Sequence, residues 1–369
     1  MSTLKDYAYY VEDKIDNRLL TNKTYIGVDN LLPNKRGITL SNYKPNKGKS
    51  IKFQKNDILI SNIRPYFKKI WLATFNGGCN TDVLCIRPKN ALHAHYLYSV
   101  LSQDSFFDYD MAGTKGSKMP RGDKKHIMNF PIKVIDNYEQ IGKIIIDIEL
   151  QIKRNNEVAQ KLQVLGQAIF NRFFYSESNL TSLVDFPYIQ IIKPGINKFD
   201  DKKHYIATAE IEGEQFNYNA PLIEYETREN RANMQPISNS VWFAKMKNSI
   251  KHIYVAQNDK IINQNYIFST GFCGIKCEEF AFEYMINYLN LSYFEKKKDI
   301  TSHGATMEGI NNEDLKSFKI HLPTKDNLIL FHNKAKKIYY EMSKIRQVTF
   351  QLTCLKDKLL PLLINGQLK

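Results

Sequence analysis

The second half of this chain repeats the first, and that constrains its fold more than any single motif. Asp136–Asn137 opens a long helical pattern running to Phe174, and Asp326–Asn327 opens another running to about Ile364; the two align without a gap at a shift of 190 residues. Ile148 falls on Ile338, Ile152 on Met342, Leu162 on Leu352, Leu165 on Leu355, Ile169 on Leu359 and Phe173 on Leu363. Upstream, Gly116-Ser117-Lys118-Met119 matches Gly304-Ala305-Thr306-Met307 at a shift of 188, and Lys23-Thr24-Tyr25-Ile26 matches Lys203-His204-Tyr205-Ile206 at 180. A period of this size is far beyond the roughly 20–50 residues of a solenoid repeat. It is a whole domain plus a helix, so the expected order is globule, helix, globule, helix. A chain of 369 residues has room for two domains that each bury a core.

Spacing of four and three picks out Ile141, Ile145, Ile148, Ile152, Asn155, Ala159, Leu162, Ile169 and Phe173 in the first long stretch. The corresponding residues of the second are Phe331, Ala335, Ile338, Met342, Ile345, Thr349, Leu352, Leu359 and Leu363. Such a narrow apolar seam is the pattern of a coiled coil, and one polar residue in it, here Asn155, fixes alignment. Because each helix follows its own globule, a two-fold relation sets the pair antiparallel; the alternative is that each packs only on its own domain. The expected fold class is α+β, with two similar mixed α/β domains separated by two long helices packed as an antiparallel coiled coil, a pseudo-two-fold internal repeat. The expected boundaries are 1–137, 138–176, 177–326 and 327–369.

Inside the first globule, Asn56–Ser61 and Asp82–Pro88 have the composition of strands, with a turn expected at Asn76-Gly77-Gly78. Ala94–Phe107 has helical spacing and precedes a Gly-rich basic segment, Gly113–Gly122, that must lie on a surface. In the second globule Ala244–Ala256 corresponds to Ser61–Ala73, and helical Phe280–Leu291 stands ahead of the loop Thr301–Thr306.

The net charge of +14 is uneven: +9 over residues 1–140, +1 over 141–178, −2 over 179–328 and +6 over 329–369. The first globule therefore has the excess expected of something that sits on phosphate. No run approaches the roughly 18 apolar residues of a membrane span. The N-terminus lacks a signal-peptide pattern, and five scattered cysteines suit a reducing compartment, so the expected location is cytoplasmic.

No two glycines stand two positions apart, which removes the dinucleotide fingerprint and the Gly-rich loop of methyl-donor sites. Tyr43–Ser50 ends like a phosphate loop in Gly48-Lys49-Ser50, but tyrosine stands where its first glycine belongs and a strand-like run follows. No Asn-Pro-Pro-aromatic run is present. Cys273 and Cys277 lack a second pair nearby, Cys79 and Cys85 are six apart, and no histidines stand at helical ligand spacing, so no metal is expected.

Over its whole length the chain resembles the specificity (S) subunit of type I restriction-modification systems. The residues that carry this are the Asn56–Tyr66 run, the Thr81–Pro88 strand, the paired helices and the terminal Leu355–Leu368 segment, together with the duplication. The resemblance implies two target-recognition domains, each reading one half of a bipartite, asymmetric site in double-stranded DNA. It implies helices that set the spacer and dock two methyltransferase (M) subunits, with restriction/motor (R) subunits joining in the full complex. It also implies a non-catalytic chain without a cofactor of its own, S-adenosylmethionine, ATP and Mg belonging to the partners. The DNA-binding candidates in the first domain are Lys35, Arg36, Arg64, Lys68, Lys69, Lys115, Lys118 and Arg121. In the second they are Lys245, Lys247, Lys251, Thr301, Ser302, His303 and Thr306. Arg64 and Arg121 are the better base readers, since a guanidinium grips guanine with two hydrogen bonds. The acidic balance of the second domain departs from the first. Two other classes compete: a coiled-coil adaptor that binds no DNA, and a self-sufficient DNA-modifying enzyme.

Overall fold

The computed structural model describes residues 2–114, 118–133, 137–174, 179–212, 215–216, 220–304 and 308–364. The chain divides into two compact units, Met1–Gln151 with Leu355–Lys369, and Ile152–Cys354. Both long helical patterns form, as Tyr138–Phe174 and Lys325–Ile364. The division falls inside both of them, so each unit contains a part of each helix.

The first unit is built on an antiparallel sheet whose strands, in order of adjacency, are Ala8–Tyr10, Val83–Pro88, Ile58–Ser61 and Ile70–Leu72. Every residue of Ile58–Ser61 is buried, because both faces of the sheet are covered. Ile58 and Ile60 join a core with Leu97, Leu101, Phe106 and Ile127, whereas Leu59 points the other way into a core with Ile26, Phe53 and Trp71. A second sheet covers that other face, in the order Lys14–Asp16, Lys49–Phe53, Gly77–Cys79, Tyr25–Ile26, with only the last pair parallel.

The second unit repeats the plan. Its first sheet runs Ile189–Ile191, Phe272–Cys277, Ser240–Ala244, His252–Val255. Val241 and Phe243 face one core, Trp242 and Ala244 the other. In its second sheet Lys203–Ile206 lies parallel to Tyr266–Ser269. Ile206 stands opposite Phe268 as Ile26 stands opposite Cys79, so the register read at a shift of 180 is that of equivalent strands.

Three local expectations need correction. Gly77 and Gly78 form no turn; they lie in a buried strand between two others. A Cβ at Gly77 would strike the Thr24 carbonyl and the Phe53 ring, and one at Gly78 would come within 2.6 Å of Leu20 and 2.9 Å of Ile15. The glycines serve close packing of backbone, a use that composition alone does not separate from a turn. The helical run from Ala94 is two helices, Ala94–Leu101 and Asp104–Ala112, broken at Ser102-Gln103. Its counterpart is likewise Phe282–Leu289 followed by Ser292–Thr301.

The long helices run antiparallel within each unit. In the first, Ile141 and Ile145 lie in the core with Leu97 and Phe106, Leu360 of the second helix packs against that core, and Lys356 Nζ is 3.4 Å from Glu149 Oε1. In the second, the Phe331 ring lies 5.9, 5.7 and 5.2 Å from those of Phe170, Phe173 and Phe174. Asn155 Nδ2 donates to Thr349 Oγ1 at 3.1 Å, a polar pair inside the seam. Neither helix is docked on one domain alone. Of the seam residues, Ile141, Ile145, Phe331, Ala335, Met342 and Thr349 are buried, while Ile148, Ile152, Leu162, Ile169, Ile338, Leu352 and Leu359 are half-buried. Gly166 is required beneath Tyr339, whose ring carbon Cζ would stand 2.9 Å from any Cβ there. Among the described residues, no helix is long and apolar enough to cross a membrane.

Candidate nucleic-acid interface

In the first unit the hairpin tip between Ile58–Ser61 and Ile70–Leu72 is tied to the residue ahead of the Val83–Pro88 strand and to the loop that follows the two short helices. Asn62 N–H donates to the Asp82 carbonyl at 2.9 Å, Arg64 N–H to the Pro120 carbonyl at 2.8 Å, and Gly122 N–H to the Asn62 carbonyl at 3.1 Å. The second unit builds the same three bonds. Lys245 N–H donates to the Gly271 carbonyl at 2.9 Å, Lys247 N–H to the Glu308 carbonyl at 3.0 Å, and Ile310 N–H to the Lys245 carbonyl at 3.0 Å. Three stretches far apart in sequence are thus joined into one small platform per unit, and most of the candidate residues lie on or beside these platforms.

On the first platform Ile63 and Arg121 form an antiparallel bridge, which brings Arg64 and Arg121 together. Arg64 has φ 51° and ψ 65°, and Lys68 φ 51° and ψ 48°. Left-handed backbone costs a residue with a Cβ about 1–2 kcal/mol. Ion pairs at the surface brace the tip: Asp104 takes the ammonium groups of Lys35 at 2.6 Å and Lys68 at 3.0 Å. Burial alone would raise the Asp104 pKa; the two lysines outweigh it and hold the carboxyl below its ordinary value. Arg64 is exposed, and so are Tyr66 and Phe67, whose ring centroids are 4.7 Å apart. Arg121 is half exposed and 3.3 Å from Asp82. Lys118 and Arg36 are exposed, Arg36 Nε donating to the Pro33 carbonyl at 3.1 Å. Lys115 and Thr306 lie outside the described residues.

The second platform presents different chemistry. Lys247 forms an ion pair with Glu308. His303 exchanges two backbone bonds with Gly309, and its Nε2 lies 3.0 Å from Asp314 Oδ2. Ser302 Oγ donates to the Lys298 carbonyl at 2.8 Å, and Thr301 ends the helix before it. Lys245 is half-buried and contributes two of the three platform bonds through its backbone.

Lys69 and Lys251 hold one structural position. Lys69 Nζ donates to the Val28 carbonyl at 2.8 Å, two residues past Tyr25–Ile26, and Lys251 Nζ to the Thr208 carbonyl at 2.5 Å, two residues past Lys203–Ile206. Burial lowers the Lys69 pKa. Each ties its hairpin to the parallel strand of the second sheet.

Among the described residues, Asp110 has no hydrogen-bond partner on either carboxylate oxygen, although it is fully buried, and Asn62 Oδ1 likewise has none. Both lie against Gly122, where a Cβ would be 2.5 Å from Asp110 Oδ1 and 3.0 Å from Asn62 Oδ1. Burial pushes the Asp110 pKa up to about 6. Its counterpart at a shift of 188 is Lys298, also fully buried, which donates to the Ser249 and Ala244 carbonyls at 2.7 and 3.3 Å. A carboxyl whose pKa is raised on folding binds its proton more tightly in the folded state, so stability falls as pH rises from about 4 to about 6. The cost is fully present above that window. Asp110→Asn is expected to raise stability at pH 7.5 by roughly 2–3 kcal/mol, about two pKa units at 1.36 kcal/mol each, and to flatten the pH slope. Urea titrations at pH 4.5 and 7.5 check it; equal stability of the two chains at pH 7.5 would refute the buried charge.

Glu308 was missed by sequence reasoning. The signal was available, since extending the match of Gly116–Met119 with Gly304–Met307 by one residue sets Pro120 against Glu308.

No family model matches the chain. The S subunit of a type I restriction-modification system from M. genitalium, a crystal structure, superimposes with a TM-score of 0.58 at 11% identity, over 97% of this chain and 94% of that one. The chain has the fold of a type I specificity subunit. The HsdS subunit from Thermoanaerobacter tengcongensis covers 100% of this chain and 96% of its own at 14% identity, with a TM-score of 0.36. In sequence, 134 residues are 27% identical to the type I restriction enzyme EcoDI specificity subunit of Escherichia coli. That match covers 34% of this chain and 29% of the relative. The specificity-subunit fold accounts for two sheet-based units that share a pair of long helices.

Proposed function

We propose that this chain is the DNA sequence-recognition subunit of a type I restriction-modification complex. Each unit reads one half of a bipartite, asymmetric site in double-stranded DNA, and the long helices set the spacer and dock two methyltransferase subunits. The chemistry, with S-adenosylmethionine, ATP and Mg, belongs to the methyltransferase and motor-nuclease subunits, and this chain is not itself an enzyme. The observation that carries the reading is the doubled platform. Two units with separate cores present the same backbone scaffold with different side chains on it, as two readers of unlike half-sites require. Arg64, Arg121, Lys118 and Arg36 supply the first reader, with phosphate contacts fixing position and base edges fixing sequence. No observation favours a purely protein-binding adaptor over this.

The test is single-molecule methylome sequencing of a methylation-free host that expresses this chain with its methyltransferase subunit. An asymmetric motif in two blocks is expected. Removing one seven-residue block from each long helix is expected to change the number of unread base pairs between the blocks and leave both blocks intact. A one-block motif, or an unaltered spacer after the deletion, would overturn the reading.

A further inference from the structure

The two platforms share a backbone but differ in charge at one place. Where the first has Pro120 and Arg121, the second has Glu308 and Gly309, and Glu308 stands beside Lys247, the counterpart of Arg64. The Lys247 and Glu308 side chains keep 37% and 47% of their surface exposed, so the pair is at the face and not beneath it. A carboxylate there repels phosphate and adds nothing to non-specific binding. It is useful on a DNA face only where the duplex offers it a donor. The donors on the major-groove edge are the exocyclic amines, N4 of cytosine and N6 of adenine, and carboxylates pair with the former by geometry. Lys247 offsets the repulsion and leaves lone pairs of the carboxylate open to a base.

We propose that Glu308 is a specificity-determining residue of the second half-site that accepts a hydrogen bond from an exocyclic base amine, with Lys247 as its positioning residue. This rests on the reading of the chain as a DNA-recognition subunit. It explains how a unit with a net charge of −2 over residues 179–328 takes part in binding DNA: its platform selects by accepting from bases, while the basic remainder of the chain supplies the phosphate attraction. The first platform, with two guanidinium groups, selects acceptors, so the two half-sites differ in the kind of base edge that they present.

The experiment compares the methylomes of wild type, Glu308→Gln, Lys247→Met and Lys247→Arg, each expressed with the methyltransferase subunit in the same host. Glu308→Gln is expected to leave the first half-site and the spacer unchanged and to reduce preference for one cytosine or adenine of the second half-site at least tenfold. The motif itself tells the two bases apart. Lys247→Met should weaken preference at the same position, and Lys247→Arg should restore it. If Glu308→Gln abolishes modification altogether, binding to duplexes with one half-site scrambled decides the matter. Loss confined to contacts with the second half supports the proposal, and loss on both halves overturns it. A second half-site unchanged in Glu308→Gln overturns this inference alone, whereas a wild-type chain without a two-block motif overturns the reading beneath it as well.

Discussion

Replacing Arg64 and Arg121 together with alanine should erase base preference in one half-site while the other half-site stays as it was. The two residues are brought side by side by the Ile63–Arg121 bridge and the bond from Arg64 N–H to the Pro120 carbonyl. The platform is held by backbone bonds and braced by the ion pairs of Asp104 with Lys35 and Lys68, and the Arg121 side chain adds only an exposed ion pair with Asp82. The double change therefore removes donors without removing the scaffold. A bidentate guanidinium–guanine contact is worth about 1–3 kcal/mol of discrimination. Loss of two such contacts, about 2–6 kcal/mol together, corresponds to a fall of about thirtyfold or more in preference at about 1.4 kcal/mol per factor of ten. Methylome sequencing with the methyltransferase subunit measures it. Two intact half-sites in the double variant would remove both arginines from the reading surface. Loss of both half-sites would point to unfolding, which a thermal melt of the same protein would reveal.

The second large effect is on stability. Phe331→Ala should destabilise the unit Ile152–Cys354 by about 3–5 kcal/mol, the usual cost of truncating a buried phenylalanine. Phe331 is fully buried and its ring touches Phe170, Phe173 and Phe174, so one side chain fastens the start of the second long helix to the end of the first. In a unit of this size, 1 kcal/mol moves Tm by about 2–4 °C. Calorimetry should therefore show a fall of roughly 10 °C in the transition of this unit. A fall below about 3 °C would mean that the aromatic cluster closes over the gap and the ring anchors little.

Much of this architecture was legible because duplication writes the same pattern twice. The match of Lys23–Ile26 with Lys203–Ile206 proved to be that of two strands with equivalent parallel partners. The hairpins were aligned correctly in their first strands and one residue out in their second. Trp71 stands opposite Leu59 whereas Ile253, not Tyr254, stands opposite Trp242. The tip between Ala244 and His252 is one residue shorter than that between Ser61 and Ile70, and apolar alternation does not register a deletion inside a polar turn. The basic residues were harder to sort. Lys69 and Lys251 look like surface charge in sequence, yet each holds a carbonyl from another strand, and such a partner is set by tertiary folding.

The division inside the long helices bears on how the molecule is made. Leu360 and Lys356 complete the unit whose other residues are Met1–Gln151. On the ribosome the Met1–Gln151 part of this unit emerges before Ile152–Cys354, and its contacts with Lys356 and Leu360 wait until that whole segment has been made. The segment Ile152–Cys354 has no such wait and can settle while synthesis continues.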